Sequence, residues 1–135
     1  MDSTNIDLIG SKISHVCVQE DTVSIHFAPA YLIKTMTGSV ERTRWWQNAT
    51  LIFQGAELDR SQPLPKLPAD CTGGDVGENI YTYRDMIPVP LHSRGQAHCG
   101  LSTAGNEQAI QVQAQGVTLE LEGVAKYIEH LLPAD

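Results

Sequence analysis

The segment Gln108–Glu122 carries the clearest structural signal in the chain and reads Gln-Ala-Ile-Gln-Val-Gln-Ala-Gln-Gly-Val-Thr-Leu-Glu-Leu-Glu. Apolar and polar residues alternate on both sides of Gly116, and a period of two is typical of strands with one buried face. Gln115-Gly116 fits a two-residue turn, because glycine supplies the positive φ that such turns require. The pattern predicts a hairpin whose six apolar side chains share one face, in the pairs Ala114–Val117, Val112–Leu119 and Ile110–Leu121.

A second hairpin is predicted nearer the N-terminus, with its turn at Glu20-Asp21. Only turns of even length keep the apolar residues of its two strands on the same face. The resulting register sets residue 18 opposite 23, residue 16 opposite 25 and residue 15 opposite 26.

The whole pattern indicates an all-β, mainly antiparallel fold of about eight short strands, closed as a small β-sandwich or β-barrel. After Gly123, the apolar residues Val124, Ile128 and Leu131 recur at i, i+4 and i+7, which predicts one short C-terminal helix ending before Pro133.

The domain organisation follows from the same pattern. Residues 1–11 are expected to form an N-terminal arm, and residues 12–135 a single β domain. Residues 61–79 contain three prolines and three glycines, which predicts a long loop because neither residue type sustains a strand or a helix.

Composition narrows the possible partners and the compartment. The 135 residues carry a net charge of −7, which disfavours nucleic acid and anionic membrane surfaces. Residues 1–10 lack the apolar block of a signal peptide, and three cysteines are too few and too scattered for a disulfide framework. A soluble, acidic, cytoplasmic protein is therefore expected.

Catalytic signatures are absent from the sequence. It has no Gly-x-Ser-x-Gly, Walker loop, His-Glu-x-x-His or Cys-x-x-Cys motif, and the glycine-rich segment 73–77 lacks a following Lys-Ser/Thr. His92, His98 and Cys99 are close in sequence but lack the spacing of a metal-binding jelly roll. No cofactor is expected, and the absence of these motifs favours a non-enzyme without deciding the question.

Two side-chain clusters are candidates for binding. Trp45 and Trp46 must point to opposite sides of their strand, and nearby basic residues make an aromatic-basic surface conceivable: Lys34, Arg42 and Arg44. The negative net charge favours the simpler interpretation, in which one tryptophan packs in the core and the other lies over a sheet edge with the arginines solvated.

The second cluster is a candidate metal site formed by His15, Cys17 and His26. The register of the first hairpin sets His15 directly across from His26, with Cys17 on the same face two residues along. Two imidazoles and a thiolate could hold a tetrahedral zinc ion with one open position. Histidines on a solvated sheet face are also ordinary, so both interpretations stand.

The function predicted from these features is that of a small, non-enzymatic binding or assembly module. Its expected partners are a second copy of itself or another protein, with a small ligand also conceivable. Only four lysines are available to protect sheet edges, which favours a homo-oligomer. The alternative is a small metal-dependent protein or enzyme that uses the strand histidines.

Overall fold

A computed structural model describes residues 2–38 and 41–131 of the chain. This part of the chain is all-β, with no helix and ten strands. The strands are β1 (Ser3–Asp7), β2 (Lys12–Gln19), β3 (Thr22–Thr35), β4 (Arg42–Gln54), β5 (Glu57–Leu58), β6 (Ala69–Glu78), β7 (Tyr81–Arg84), β8 (Met86–Val89), β9 (His92–Thr103) and β10 (Asn106–Leu131). No helix that could cross a membrane is found among these residues.

The strands lie side by side in the order β2-β6-β9-β10-β4-β3-β1-β8. All pairings between these neighbours are antiparallel. β2 also pairs with β3, so six of the strands are joined in a closed circuit of hydrogen-bonded neighbours. The circuit is narrowest between β2 and β6, where only two residue pairs form, Lys12 with Asp70 and Ile13 with Ala69.

The register predicted for the first hairpin is confirmed. Val18 pairs with Val23, Val16 with Ile25, and His15 with His26, around the turn at residues 20–21. Val23 and Ile25 are buried in the core, but Val16 is only partly buried and Val18 is 41% exposed. The two strands therefore differ in burial although their register is as predicted.

The hairpin predicted for residues 108–122 is wrong, because β10 runs through this segment without a turn. At Gln115 the ladder is irregular, and two residues of β9, Gly95 and Gln96, stand opposite this single residue of β10. At the same place β10 begins to pair with β4, where Leu119 lies opposite Leu51 rather than Val112. A β-bulge, like a turn, changes which side chains share a face, so alternation alone did not separate the two.

The predicted C-terminal helix is also wrong, because residues 124–131 belong to β10. Arg42–Trp46 of β4 provide a ladder for them, in which Lys126 pairs with Trp46 and Tyr127 with Trp45. A helix of about eight residues has little intrinsic stability, and an available strand edge offers backbone partners instead. Pro133, the predicted helix stop, lies outside the described residues.

Two further expectations are corrected. The predicted arm contains β1, which pairs with β3 and β8, and its Ile6 and Leu8 are fully buried. The predicted loop at residues 61–79 ends at Pro68, since Ala69–Glu78 form β6. This strand contains glycine where a neighbouring group lies too close to its backbone to leave room for a side chain: a Cβ at Gly74 would lie 2.2 Å from the carbonyl oxygen of Gly100.

The core is built from the inward side chains of the circuit together with those of β1 and β8. The largest fully buried side chains come from most of the strands and from the segment that follows β1: Ile6, Leu8, Ile13, Ile25, Phe27, Leu32, Leu51, Phe53, Ile87, Leu101 and Ile110. Five of the described strands have an unpaired side: β5, β7 and β8 pair with one strand each, β2 is unpaired on one side beyond Ile13, and β10 is unpaired on one side beyond Leu119.

Candidate functional site

In the described chain, one side of β2 is unpaired over most of the length of the strand. β2 pairs with β3 from Ile13 to Gln19, but β6 leaves it after Ile13. Within residues 2–38 and 41–131, no other strand or loop backbone is bonded to Ser14–Gln19 on that side. We call this side of Ser14–Gln19 the β2 edge.

The turn determines which backbone groups point out of the β2 edge. A two-residue turn is closed by a hydrogen-bonded pair, here Gln19 and Thr22, and such pairs alternate with non-hydrogen-bonded ones along the ladder. The N–H and C=O groups of Gln19, Cys17 and His15 therefore face β3. Those of Val18 and Val16 face outward, where nothing in the described chain accepts or donates.

The chemistry of the β2 edge lacks the usual protection against pairing. Exposed edges are normally interrupted by lysine, proline or a bulge. The segment His15–Gln19 contains no lysine, carboxylate or proline, and the only bulge, between Ile13 and His15, precedes it. Val18 and Cys17 are exposed alongside it. This segment can therefore accept a further antiparallel strand.

The unpaired side of β10 differs in this respect. Its ladder with β4 is irregular twice, between Glu122 and Lys126 and between Tyr127 and Glu129. At the first irregularity the buried Gln47 donates from Nε2 to the carbonyl oxygen of Gly123 at 2.8 Å, and Val124 is 81% exposed. Bulges and carboxylates along this segment are the devices that discourage pairing of edges.

The structure brings two of the three predicted metal ligands together. The rings of His15 and His26 are stacked with their centroids 3.9 Å apart and their planes inclined by 14°. Their Nδ1 atoms are hydrogen-bonded to the hydroxyls of Ser14 and Thr50, each at 3.0 Å. Imidazole lone pairs lie in the ring plane, so stacked rings direct their free nitrogens in parallel and not at one ion.

Cys17 lies on the same strand as His15 but pairs with Ser24, and its thiol is free. No group of three or more His, Cys, Asp or Glu side chains placed to hold a metal ion occurs in the described residues. Burial and the neighbouring His15 lower the pKa of His26, while Glu122 opposes the shift. Zinc binding at His15, Cys17 and His26 stays a prediction that would require the rings to rotate.

The aromatic-basic residues are divided between the two faces of the sheet. Trp45 packs against the core, with its ring edge against Tyr127 at 5.4 Å and the Lys34 ammonium 4.4 Å from its ring centre. Trp46 lies on the opposite face and is exposed. The expectation that the two tryptophans point to opposite sides is confirmed, and a single surface containing both does not form.

The face that carries Trp46 also has an open apolar pocket of about 400 Å³, lined by Ala28, Pro29, Tyr31, Trp46, Asn48 and Ile128. The Arg44 guanidinium lies 5.6 Å from the ring centre of Tyr31 and forms an ion pair with Asp7 at 3.5 Å. The sequence indicated the tryptophan but not this pocket, because its walls come from three strands.

His92, His98 and Cys99 do not form a site. Cys99 is buried, and this burial raises the pKa of its thiol to about 12. His92 bonds Thr118 across the β9–β10 ladder at 2.8 Å. His98 lies on the outer face and packs on Gly77 so closely that a Cβ there would be 2.0 Å from its Cε1. The remaining glycines of the segment 73–77 lie in β6, where Gly74 N–H donates to the Asp85 carboxylate at 2.9 Å.

The β2 edge was not identified from the sequence. The sequence did carry an indication of it, because His15–Gln19 is uncharged and contains the β-branched residues Val16 and Val18. The alternation of apolar and polar residues, however, does not show how many neighbours a strand has. The number of neighbours of β2 depends on where β6 begins and ends. The prolines and glycines of residues 61–79 predicted a loop there, so the bounds of β6 did not follow from the sequence. No family model, curated protein or solved structure matches the chain.

Proposed function

We propose that this chain is a non-enzymatic assembly module, which holds a further protein chain by adding a strand to the β2 edge. The observation that carries the proposal is the outward-facing backbone of Val16 and Val18, which is unpaired and unprotected in the described chain. Strand addition to an exposed edge is a common mode of recognition, because main-chain hydrogen bonds supply affinity and neighbouring side chains supply specificity.

The side chains at this edge support the same function. Val18 is 41% exposed although the opposite Val23 is buried, so a further strand would cover apolar surface that the fold leaves in water. The six-strand circuit supports a small barrel for the architecture of the module. Three free thiols, one of them exposed, support a reducing compartment such as the cytoplasm.

The direct test of assembly is light scattering over a wide range of protein concentrations. We expect the weight-average mass to rise above 14.8 kDa as the concentration increases. A constant mass of 14.8 kDa up to the solubility limit, together with unchanged mass when valine-rich strand peptides are added, would contradict an assembly function.

The second candidate function is metal binding, and the observation that favours it is the cross-strand pairing of His15 with His26, with Cys17 two residues along the same strand. Its test is a zinc titration of the wild type beside His15→Ala and His26→Ala. Strong binding by the wild type that both variants lose would establish the metal-dependent alternative. Equal and weak binding by all three proteins would exclude it.

A further inference from the structure

We infer that the strand added to the β2 edge is β2 of a second copy, antiparallel across a two-fold axis that sets Cys17 opposite Cys17. The inference rests on the proposed assembly function and names its partner. Closed two-fold dimers are the commonest soluble oligomers, and each uses one self-complementary patch. The β2 edge meets that condition in its backbone, its charges and its side chains.

The backbone selects the register. Regular outward N–H and C=O groups belong to Val16 and Val18, because Ser14 lies at the bulge between Ile13 and His15. Two copies pair all of these groups only when Val16 of each stands opposite Val18 of the other. Cys17 then faces its counterpart at a non-hydrogen-bonded position, where Cα atoms are about 4.5 Å apart.

Charge supports the antiparallel direction. Lys12 lies exposed at one end of β2, and the acidic turn residues Glu20 and Asp21 lie exposed at the other. The inferred register places Lys12 of one copy beside the acidic turn of its partner, and the two-fold axis repeats this contact. A parallel arrangement would instead set the two acidic turns side by side.

The side chains complete the match. Val16 and Val18 lie on the face of β2 that is turned toward the core. In the dimer, Val16 of each copy would cover Val18 of the partner copy. On the opposite face, Cys17 would be flanked by His15 of one copy and Gln19 of the other. No charge would be buried, so the contact carries no desolvation penalty of an unpaired ion.

Oxidative cross-linking of the full chain tests the register. Diamide takes two electrons and two protons from the two Cys17 thiols, a sulfur–sulfur bond forms, and the N=N bond of the reagent is reduced to a hydrazine. Disulfides require Cα separations of about 4.4–6.8 Å, which the inferred register satisfies. Cys71 and Cys99 are buried with pKa values raised by that burial, so they should not react.

We expect rapid formation of a covalent dimer by the wild type and none by Cys17→Ser. The matched control is Cys17→Ser combined with Glu122→Cys, which places the exposed thiol on β10 instead. Equal cross-linking of this control and the wild type, or no cross-linking of the wild type, would overturn the register.

Two substitutions of exposed valines test the location independently of cysteine chemistry. Val18→Lys introduces a charge at the β2 edge and acts twice across the two-fold axis, so we expect the dissociation constant of the dimer to rise about tenfold or more. Val124→Lys alters a more exposed valine on β10 and should leave the constant unchanged. Circular dichroism should show that both variants are folded.

The failures of the two proposals are distinguishable. Association that Val124→Lys weakens and Val18→Lys does not would overturn the dimer at β2 and leave an assembly function in place. A wild type that stays monomeric and binds added strand peptides at the β2 edge would overturn self-pairing alone. A monomer that binds neither would overturn both.

Discussion

His15 and His26 stack face to face across the first hairpin, with their ring centroids 3.9 Å apart, and they connect the outer face of β2 to Thr50 of β4. Burial and the like charge of a protonated His15 both disfavour a proton on His26. The pair therefore makes the stability of the hairpin depend on pH near the ordinary pKa of histidine.

The first prediction is a loss of stability at acid pH. Burial and His15 lower the pKa of His26 from its ordinary value of 6.5, so the unfolded state binds the proton at higher pH than the folded state. The free energy of unfolding should therefore fall as pH drops below about 6.5 and level off below the folded pKa. Urea unfolding at several pH values measures this slope, which His26→Gln should flatten and His92→Gln should not.

The second prediction concerns the glycine beneath His98. Gly77→Ala should destabilise the fold by about 1–3 kcal/mol, because the new Cβ would lie 2.0 Å from Cε1 of His98. Removal of the ring in the double variant Gly77→Ala/His98→Ala should restore most of the loss. If the double variant is no more stable than Gly77→Ala, the contact with His98 is not the reason for glycine here.

The third prediction separates two leucines of the β4–β10 ladder. Leu51 is fully buried and pairs with Leu119, so Leu51→Ala should cost about 2–5 kcal/mol. Leu121 pairs with Ala49 and is 39% exposed, so Leu121→Ala should change the free energy of unfolding by about 0.5 kcal/mol or less. Comparable losses in the two urea titrations would contradict the position of the core.

The fourth prediction concerns the bulge of β10. Gln47→Ala removes the buried donor to the Gly123 carbonyl, and the loss should cost about 1–3 kcal/mol. The hydrogen bond from Gln47 holds the bulge, and the bulge orients Val124–Leu131 against β4. Without this bond, the amides of Val124–Leu131 should therefore exchange faster with solvent. Gln54→Ala, an exposed glutamine of the same strand, is the matched control and should leave their exchange unchanged.

Local alternation predicted an antiparallel all-β fold and the register of the β2–β3 hairpin, because both depend on neighbouring residues. It failed at Gln115, where a bulge and a turn produce the same change of face. It failed again at Val124–Leu131, whose conformation depends on β4, more than seventy residues away in sequence. Contacts between residues so far apart in sequence do not produce a periodic pattern within Val124–Leu131.

The candidate site was predicted only in part for the same reason. The opposition of His15 and His26 follows from a two-residue turn, and the structure confirms it. The ring stacking depends on side-chain rotamers, and the open side of β2 depends on β6, whose glycines made residues 69–78 look like a loop. One side of β2 is exposed because β6, its second neighbour, pairs with only two of its residues. Predicting this exposure requires knowledge of the complete strand order.

Hydrogen exchange of individual amides at low and high protein concentration tests the central claim most directly. The N–H groups of Val16 and Val18 point out of the β2 edge, so they should exchange freely at low concentration and become protected as copies associate. Amides of Val124 and Ala125 on β10 should show no such change. Val16 and Val18 amides that exchange equally fast at both concentrations, while the mass doubles, would contradict assembly through the β2 edge.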